Sequence, residues 1–170
     1  MAIDAGFTRR AMIFATVAVA LTVGCRHKER GLSSMVNMAD PTTATQLVSG
    51  FHAVENGGWR WTMKKFSVVL KTPQGGETNG GMLRFRLFVS DDQINRLGPI
   101  TVSADIDGHQ LEPQTFSKPG DYAYSRPVPA DALKTPSVKV NFSLDKDREP
   151  DNVDGRQLGV VALTIGLQPR

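Results

Sequence analysis

The sequence predicts an all-β fold, an antiparallel β-sandwich of jelly-roll or immunoglobulin-like type. From residue 50 onward, apolar side chains alternate with polar ones in several short runs, the period of strands with one buried face and one wet face. Glycine and proline separate these runs, and 16 glycines with 10 prolines argue against a helical bundle. The last run, Leu158 to Leu167, is apolar nearly throughout and predicts a central strand covered on both faces.

The alternating runs predict four strands with definite inward-facing side chains. These are Phe66, Val68 and Leu70 in the first, Leu83, Phe85, Leu87 and Val89 in the second, Val102, Ala104 and Ile106 in the third, and Val138, Val140, Phe142 and Leu144 in the fourth. Asp107-Gly108 predicts a two-residue hairpin with a type I′ turn, because both positions tolerate positive φ. The glycine-rich stretch 75–81 predicts a flexible hairpin loop. Pro127 and Pro129 predict an edge strand or a strand end, since proline cannot donate to a central ladder.

Length and composition narrow the classes of function. A chain of 170 residues favours one domain, large enough to bury a stable core without disulfides. The net charge of +3, from 20 basic and 17 acidic side chains, is too even to favour nucleic-acid binding. The single cysteine excludes an internal disulfide framework and any multi-cysteine metal site.

The N-terminus predicts an export signal. Arg9 and Arg10 form a positive region, and residues 11–23 form an uncharged run shorter than the about 20 residues that a spanning helix needs. The segment from Leu21 to Cys25 resembles the lipobox of bacterial lipoproteins, in which the cysteine is lipidated and becomes the first mature residue. A plain secretory signal with an incidental cysteine, or an uncleaved anchor, stays open beside this interpretation.

The chain is therefore predicted to have three parts. Residues 1–24 form a signal peptide of the lipoprotein type, residues 25–49 form the lipidated Cys25 with a flexible tether, and residues 50–170 form the β-sandwich. The tether is predicted because residues 31–49 are rich in Ser, Thr, Ala and Asn and show no sustained period. The expected location is export, with membrane anchoring on the periplasmic or outer face of the cell envelope.

Residue types that carry catalysis or bind metals form no recognisable constellation. The three histidines are not paired, and the chain has no Gly-x-Ser-x-Gly elbow and no phosphate-binding loop. We therefore expect no enzyme activity, no cofactor and no metal. Acidic residues at 145, 147, 149 and 151 recur as in a calcium loop, but Pro150 and Arg156 stand where an EF-hand needs glycine and glutamate. A solvated loop is the interpretation, with calcium binding left open.

Both tryptophans of the chain lie in the segment Trp59-Arg60-Trp61. If this segment is extended, the two indole rings share one face and Arg60 points to the other. The pair is then either part of the core or a platform on which a sugar ring stacks. Trp59 is expected to be the more exposed ring, because it follows Gly57 and Gly58.

Five segments carry a family resemblance. They are Gly50-Phe51-His52-x-x-Glu55, Trp59-Arg60-Trp61-Thr62, the strand from Leu83 to Val89, Ile106-Asp107-Gly108 and Asp154-x-Arg156-x-Leu158-Gly159-Val160. In this order they resemble a bacterial β-sandwich module that is often appended to glycosyltransferases and other cell-envelope polysaccharide enzymes. The resemblance covers about residues 50–168 and implies an accessory, carbohydrate-associated role rather than catalysis.

The matched residues have a functional and a structural interpretation. The functional one is a sugar site on the sandwich edge formed by Glu55, Trp59, Arg60, Trp61 and Arg156. In the structural one, Glu55 and Arg156 form an ion pair that ties the first strand to the last. Arg60 or Arg156 then stacks on Trp61, and Gly159 permits close approach of a neighbouring ring.

These observations predict a non-enzymatic, lipid-anchored envelope protein that binds glycan or assists polysaccharide assembly. Its partners are the membrane, through a lipid on Cys25, and an envelope polysaccharide or envelope protein, with no nucleic acid. The alternative is a structural or protein-interaction lipoprotein without sugar affinity. The exposure of the two tryptophans and the shape of the surface around them distinguish these alternatives.

Overall fold

The computed structural model describes Met1 and residues 31–170, so the predictions of a signal peptide at 1–24 and of lipidation at Cys25 lie outside the described residues. Within this described part of the chain, nine strands and two short α-helices follow one another. They are β1 (Met35–Asn37), β2 (Leu47–Phe51), β3 (Arg60–Lys71), α1 (Gly76–Asn79), β4 (Gly81–Val89), α2 (Asp91–Leu97), β5 (Ile100–Ile106), β6 (His109–Phe116), β7 (Gly120–Val128), β8 (Ser137–Leu144) and β9 (Val161–Pro169), with 3-10 helices at Ala44–Gln46 and Ala130–Leu133. Within residues 31–170 no helix is long and apolar enough to cross a membrane.

The strands form two antiparallel sheets that share the long strand β3. Sheet 1 contains β9, β4 and β7 in that order, with β1 and the start of β3 beside β9. Sheet 2 contains β2, the rest of β3, β8, β5 and β6. From β3 onward each connection crosses between the sheets except the β5–β6 hairpin. Immunoglobulin folds keep several hairpins within one sheet, so of the two predicted types the structure is jelly-roll-like.

The core lies between the two sheets and includes the predicted inward positions. The four alternating runs supply about half of the buried apolar side chains. Strand β9 lies in the middle of sheet 1, but Leu163 and Thr164 are only half-buried, so its outer face is not covered along its whole length as predicted. At its centre the Phe66 and Phe142 rings stack with centroids 4.9 Å apart, and Phe85 from the opposite sheet packs 5.2 Å from Phe142. The prediction of an antiparallel β-sandwich is confirmed.

Of the predictions made from glycine and proline, the tight turn at 107–108 and the edge strand at Pro127 are correct, and the hairpin at 75–81 is not. Asp107 (φ 49°) and Gly108 (φ 84°) form the tight turn of the β5–β6 hairpin, and Pro127 lies in the edge strand β7. The expected hairpin at 75–81 is wrong, because the end of β3 lies in sheet 2 whereas β4 lies in sheet 1, and α1 joins them. Local glycine content indicates a turn but does not reveal which strands pair.

The prediction of a flexible tether over residues 25–49 is wrong from about Ser33 onward. Strand β1 pairs with β9, and Val36 and Met38 are 0% and 1% exposed. The buried Gln46 side chain accepts a hydrogen bond from the Ser33 amide (2.8 Å) and donates to the Ser33 carbonyl (2.9 Å). The packed domain therefore begins near Ser33 rather than at Gly50. A three-residue strand is too short to show a two-residue period, so the prediction depended on the composition of residues 31–49.

Candidate functional site

A groove of about 310 Å³ on the outer face of sheet 1 is the candidate site. Its lining residues come from β4 and the N-cap of α2 that follows it, from β7 and β9, and from the start of β3 with the residue before it. They are Trp59, Trp61, Phe88, Ser90, Asp121, Val161 and Leu163. The groove is therefore mostly apolar, with one hydroxyl and one carboxylate at its rim.

Strand register brings these side chains together. Trp61 lies opposite Val161, Val161 opposite Phe88, and Phe88 opposite Asp121. Directly opposed residues in antiparallel strands share a face, so these four side chains form one row across four strands. A register shift in β9 leaves Leu163 without a partner in β4, and the bulge adds this apolar side chain to the same surface.

The two tryptophans share one face, as the alternation predicts. Their ring centroids are 5.8 Å apart with an interplanar angle of 86°, so the indoles form a corner. Arg60 points away from this corner, and its guanidinium donates to the carbonyls of Met38 (3.1 Å) and His52 (2.9 Å). Both tryptophans are half-buried and stand outside the core. That Trp59 is the more exposed of the two rings stays a prediction.

A tight turn fixes the backbone of Trp59. Glu55 and Trp59 form an antiparallel bridge, with the Glu55 amide donating to the Trp59 carbonyl at 2.8 Å. Asn56 (φ 47°) and Gly57 (φ 66°) adopt the left-handed conformation that the turn requires. The tryptophan therefore projects from an ordered hairpin rather than from an irregular loop.

The ion pair between Glu55 and Arg156 exists as the structural interpretation expected. Arg156 Nη1 lies 2.6 Å from Glu55 Oε1, and Arg156 Nη2 lies 2.9 Å from Asp154 Oδ2. The hydrogen bonds that Arg156 donates to Asp154 and then to Glu55 raise the pKa of Arg156. Glu55, Arg60 and Arg156 do not line the tryptophan groove. Of the five residues expected in the sugar site, the structure gathers Trp59 and Trp61, while the other three brace the backbone around them.

The acidic loop 145–154 is held by separate partners. The Asp145 carboxylate accepts the Thr101 amide at 2.7 Å, Lys64 lies 3.2 Å from the buried Asp147, and Arg148 lies 2.8 Å from Asp151. Within residues 31–170 no group of three or more His, Cys, Asp or Glu side chains converges on a common point that could hold a metal ion.

Acid should weaken the fold through Asp151. The Asp151 carboxylate accepts hydrogen bonds from the Asp154 amide, then from the Arg148 side chain and the Val153 amide. These bonds lower the pKa of Asp151 to about 2. A carboxyl with a folded pKa below its unfolded value of about 3.9 stabilises the fold above pH 4, and this contribution is lost as the pH falls toward 2. We expect wild type to exceed Asp151→Asn in urea midpoint at pH 5, with the gap closing toward pH 2. A gap that is equal at both pH values contradicts this assignment. In the Arg148→Gln background, the difference in urea midpoint caused by Asp151→Asn at pH 5 should be smaller but should not vanish, since the backbone donors remain.

A second groove, of about 350 Å³, lies on the outer face of sheet 2. It is lined mainly by hydroxyl, amide and charged side chains, among them Lys65, Lys139, Asp105 and Asn141, and contains no tryptophan. Asn141 Nδ2 donates to Asp105 Oδ1 at 3.3 Å, so part of its polar surface is already paired. The two grooves are on opposite faces of the sandwich.

Sequence reasoning missed the partners of the tryptophans. Phe88 was detectable, because it is an aromatic residue at an outward position of a predicted strand. No local pattern in the sequence indicates the other lining residues, since only the strand order and register place them beside Trp61. These residues are Ser90, Asp121, Val161 and Leu163.

No family model matches the chain, and no curated protein matches it. Three solved structures with a similar fold have low identity. The carbohydrate-binding module TmCBM27, studied for specific mannan recognition, is 10% identical, with 82% of this chain and 98% of that chain covered and a TM-score of 0.48. The CBM36-1 domain of a multidomain xylanase from the hindgut metagenome of Trinervitermes trinervoides is 15% identical, with 69% and 86% covered and a TM-score of 0.35. A CBM4 structure is 11% identical, with 73% and 77% covered and a TM-score of 0.36. At these identities and TM-scores, the similarity assigns no ligand to this chain.

Proposed function

We propose that this protein is a non-catalytic glycan-binding β-sandwich that binds a sugar chain in the tryptophan groove. The observation that carries the proposal is the corner formed by Trp59 and Trp61 on an outer sheet face, beside Phe88. Sugars present apolar C–H faces, and an apolar concave surface with a few placed polar groups is the usual form of a small-ligand site.

The chemistry of the groove suits a ring with hydroxyls at its edge. One indole face supports the apolar side of the sugar, and the second indole, at 86° to the first, closes the side of the corner. Asp121 accepts hydrogen bonds from hydroxyls. Ser90 Oγ accepts the Gln93 amide at 3.2 Å as the N-cap of α2, which leaves one lone pair to accept a hydrogen bond from a sugar hydroxyl.

We further propose that the domain is exported and anchored through a lipid on Cys25. If so, about seven residues, 26–32, separate the anchor from the first sandwich contact at Ser33. A fully extended chain of this length reaches about 25 Å. The sandwich would stay close to the membrane surface and would bind polysaccharide there, assisting its assembly or its retention.

A protein partner is the second candidate, and the mostly apolar lining of the groove favours it. The two candidates differ in what occupies the corner. A sugar chain requires Asp121 and Ser90 for its hydroxyls, whereas an apolar side chain of a protein does not.

Trp59→Ala should weaken glycan binding about 30-fold, because truncating a central tryptophan of a binding site costs about 2 kcal/mol or more. The full-length chain, in a polyoxyethylene detergent without a sugar headgroup, is titrated with a panel of neutral and acidic polysaccharides while tryptophan fluorescence is followed. Val48→Ala, which removes an exposed apolar side chain from the edge strand β2, is the control and should bind as wild type does. A folded wild-type chain that responds to no polysaccharide overturns glycan binding.

A further inference from the structure

Two arginines stand beside the tryptophan groove on the same face of sheet 1. In β4 the side chains alternate strictly, with Leu83, Phe85, Leu87 and Val89 buried. Arg84 and Arg86 therefore share the outer face with Phe88, which lines the groove, and both are exposed. Each two-residue step along a strand is about 6.6 Å, so Phe88, Arg86 and Arg84 form a line about 13 Å long.

Neither arginine is neutralised within the domain. Arg84 and Arg86 form no ion pair with any residue between 31 and 170, whereas Arg96, Arg148 and Arg156 are all paired with carboxylates. The carboxylate on this part of the face is Asp121, which lies opposite Phe88 at the groove rim rather than opposite an arginine. Unpaired guanidinium groups in line with an aromatic groove present two adjacent positive charges to a bound chain.

The neighbours of the two arginines leave their guanidinium groups accessible. Arg86 lies between Ala123 on β7 and Thr164 on β9. Arg84 lies between Ser125 and Gly166 on the same two strands. Ala123, Ser125 and Thr164 are small and leave the sheet surface beside the arginines low. On the β9 side of Arg84 the Met35 side chain lies over Gly166, 3.4 Å from where a Cβ would stand, so a bound chain reaches this arginine from the β7 side.

We propose that the ligand is an acidic polysaccharide whose uronate carboxylates pair with Arg84 and Arg86 while a sugar ring fills the tryptophan corner. This inference rests on the proposed glycan binding and specifies its ligand class. A guanidinium forms two parallel hydrogen bonds to a carboxylate, which is a stronger and more directional contact than a hydroxyl provides. The length of the line requires an oligosaccharide rather than a single sugar.

The test compares polygalacturonate with carboxyl-reduced polygalacturonate, which keeps the chain and removes its charge. The full-length protein in the same detergent is titrated with each polymer by calorimetry. We expect wild type to bind the acidic polymer at least tenfold more tightly, and this ratio to fall as salt screens the charges. The double variant R84Q/R86Q should bring the ratio close to one while the melting temperature stays as in wild type, since both side chains are exposed.

A charge-matched variant separates this site from general attraction of a polyanion. K65Q/K139Q removes the same two charges from the opposite face of the sandwich and should keep the wild-type ratio. A ratio that persists in R84Q/R86Q, or that disappears in K65Q/K139Q, overturns the arginine site. Equal binding of the two polymers overturns the acidic ligand but leaves the glycan-binding function standing. If neither polymer binds, the acidic ligand is overturned, and the neutral members of the panel decide whether glycan binding fails as well.

Discussion

Phe142→Ala should lower the free energy of unfolding by about 3–5 kcal/mol, because it opens a cavity at the centre of the core. The Phe142 ring is 2% exposed, stacks on Phe66 and lies 5.2 Å from Phe85 and 6.4 Å from Tyr124. Phe66 and Phe142 belong to sheet 2, while Phe85 and Tyr124 belong to sheet 1. Removing the ring therefore deletes contacts between the sheets, which side chains held in strands cannot replace by collapsing.

The measurement is urea unfolding of the full-length chain, followed by tryptophan fluorescence. Phe88→Ala deletes the same atoms from a half-buried position on the outer face of sheet 1 and should cost less than half as much. Domains of this kind are stable by about 5–15 kcal/mol, so the Phe142 variant should lose a large fraction of its stability. Equal costs for the two variants would contradict the assignment of Phe142 to the centre of the core.

Local alternation was sufficient to predict the strands that build the core. Strand β4 shows why, since its four inward residues are apolar and two of its outward residues are arginines. Strand β1 has three residues and β2 pairs irregularly with β3, so neither produces a readable period. Their positions follow from the uncovered edges of β9 and β3, which are properties of the assembled sheets.

For a related reason, only part of the candidate site could be predicted from the sequence. The shared face of Trp59 and Trp61 follows from two-residue periodicity within one segment. The rest of the groove depends on which strands become neighbours of β3, and a single sequence does not contain that register. The Glu55–Arg156 pair joins residues 101 positions apart and was expected only because both residues belonged to the resembling segments.

Gly159→Ala should destabilise the domain by about 3 kcal/mol through overpacking. A Cβ at this position would lie 2.7 Å from both the Met63 carbonyl oxygen and Leu144 Cδ1, and closer still to Thr62 Oγ1. Thr62 cannot turn away without a cost, since its Oγ1 accepts the Val160 amide at 3.1 Å. Its carbonyl accepts the Gly159 amide at 2.6 Å, which holds the two backbones together. The close approach at Gly159 is therefore to Thr62, Leu144 and a backbone carbonyl, and the expectation of a neighbouring ring is wrong.

Gly155→Ala is the matched control, because nothing lies within 4 Å of its added Cβ and its φ is not positive. Gly155→Ala should change the free energy of unfolding by no more than about 0.5 kcal/mol, as for an ordinary surface position. Gly159→Ala should also disturb the groove, since Thr62 follows Trp61 directly and any shift of this backbone moves the indole. We therefore expect a change in tryptophan emission in the folded state of Gly159→Ala and none in Gly155→Ala. Equal unfolding midpoints for the two variants would show that the loop before β9 relaxes freely. The groove would then lack the rigid support that the ion pairs and the Gly159–Thr62 contact provide.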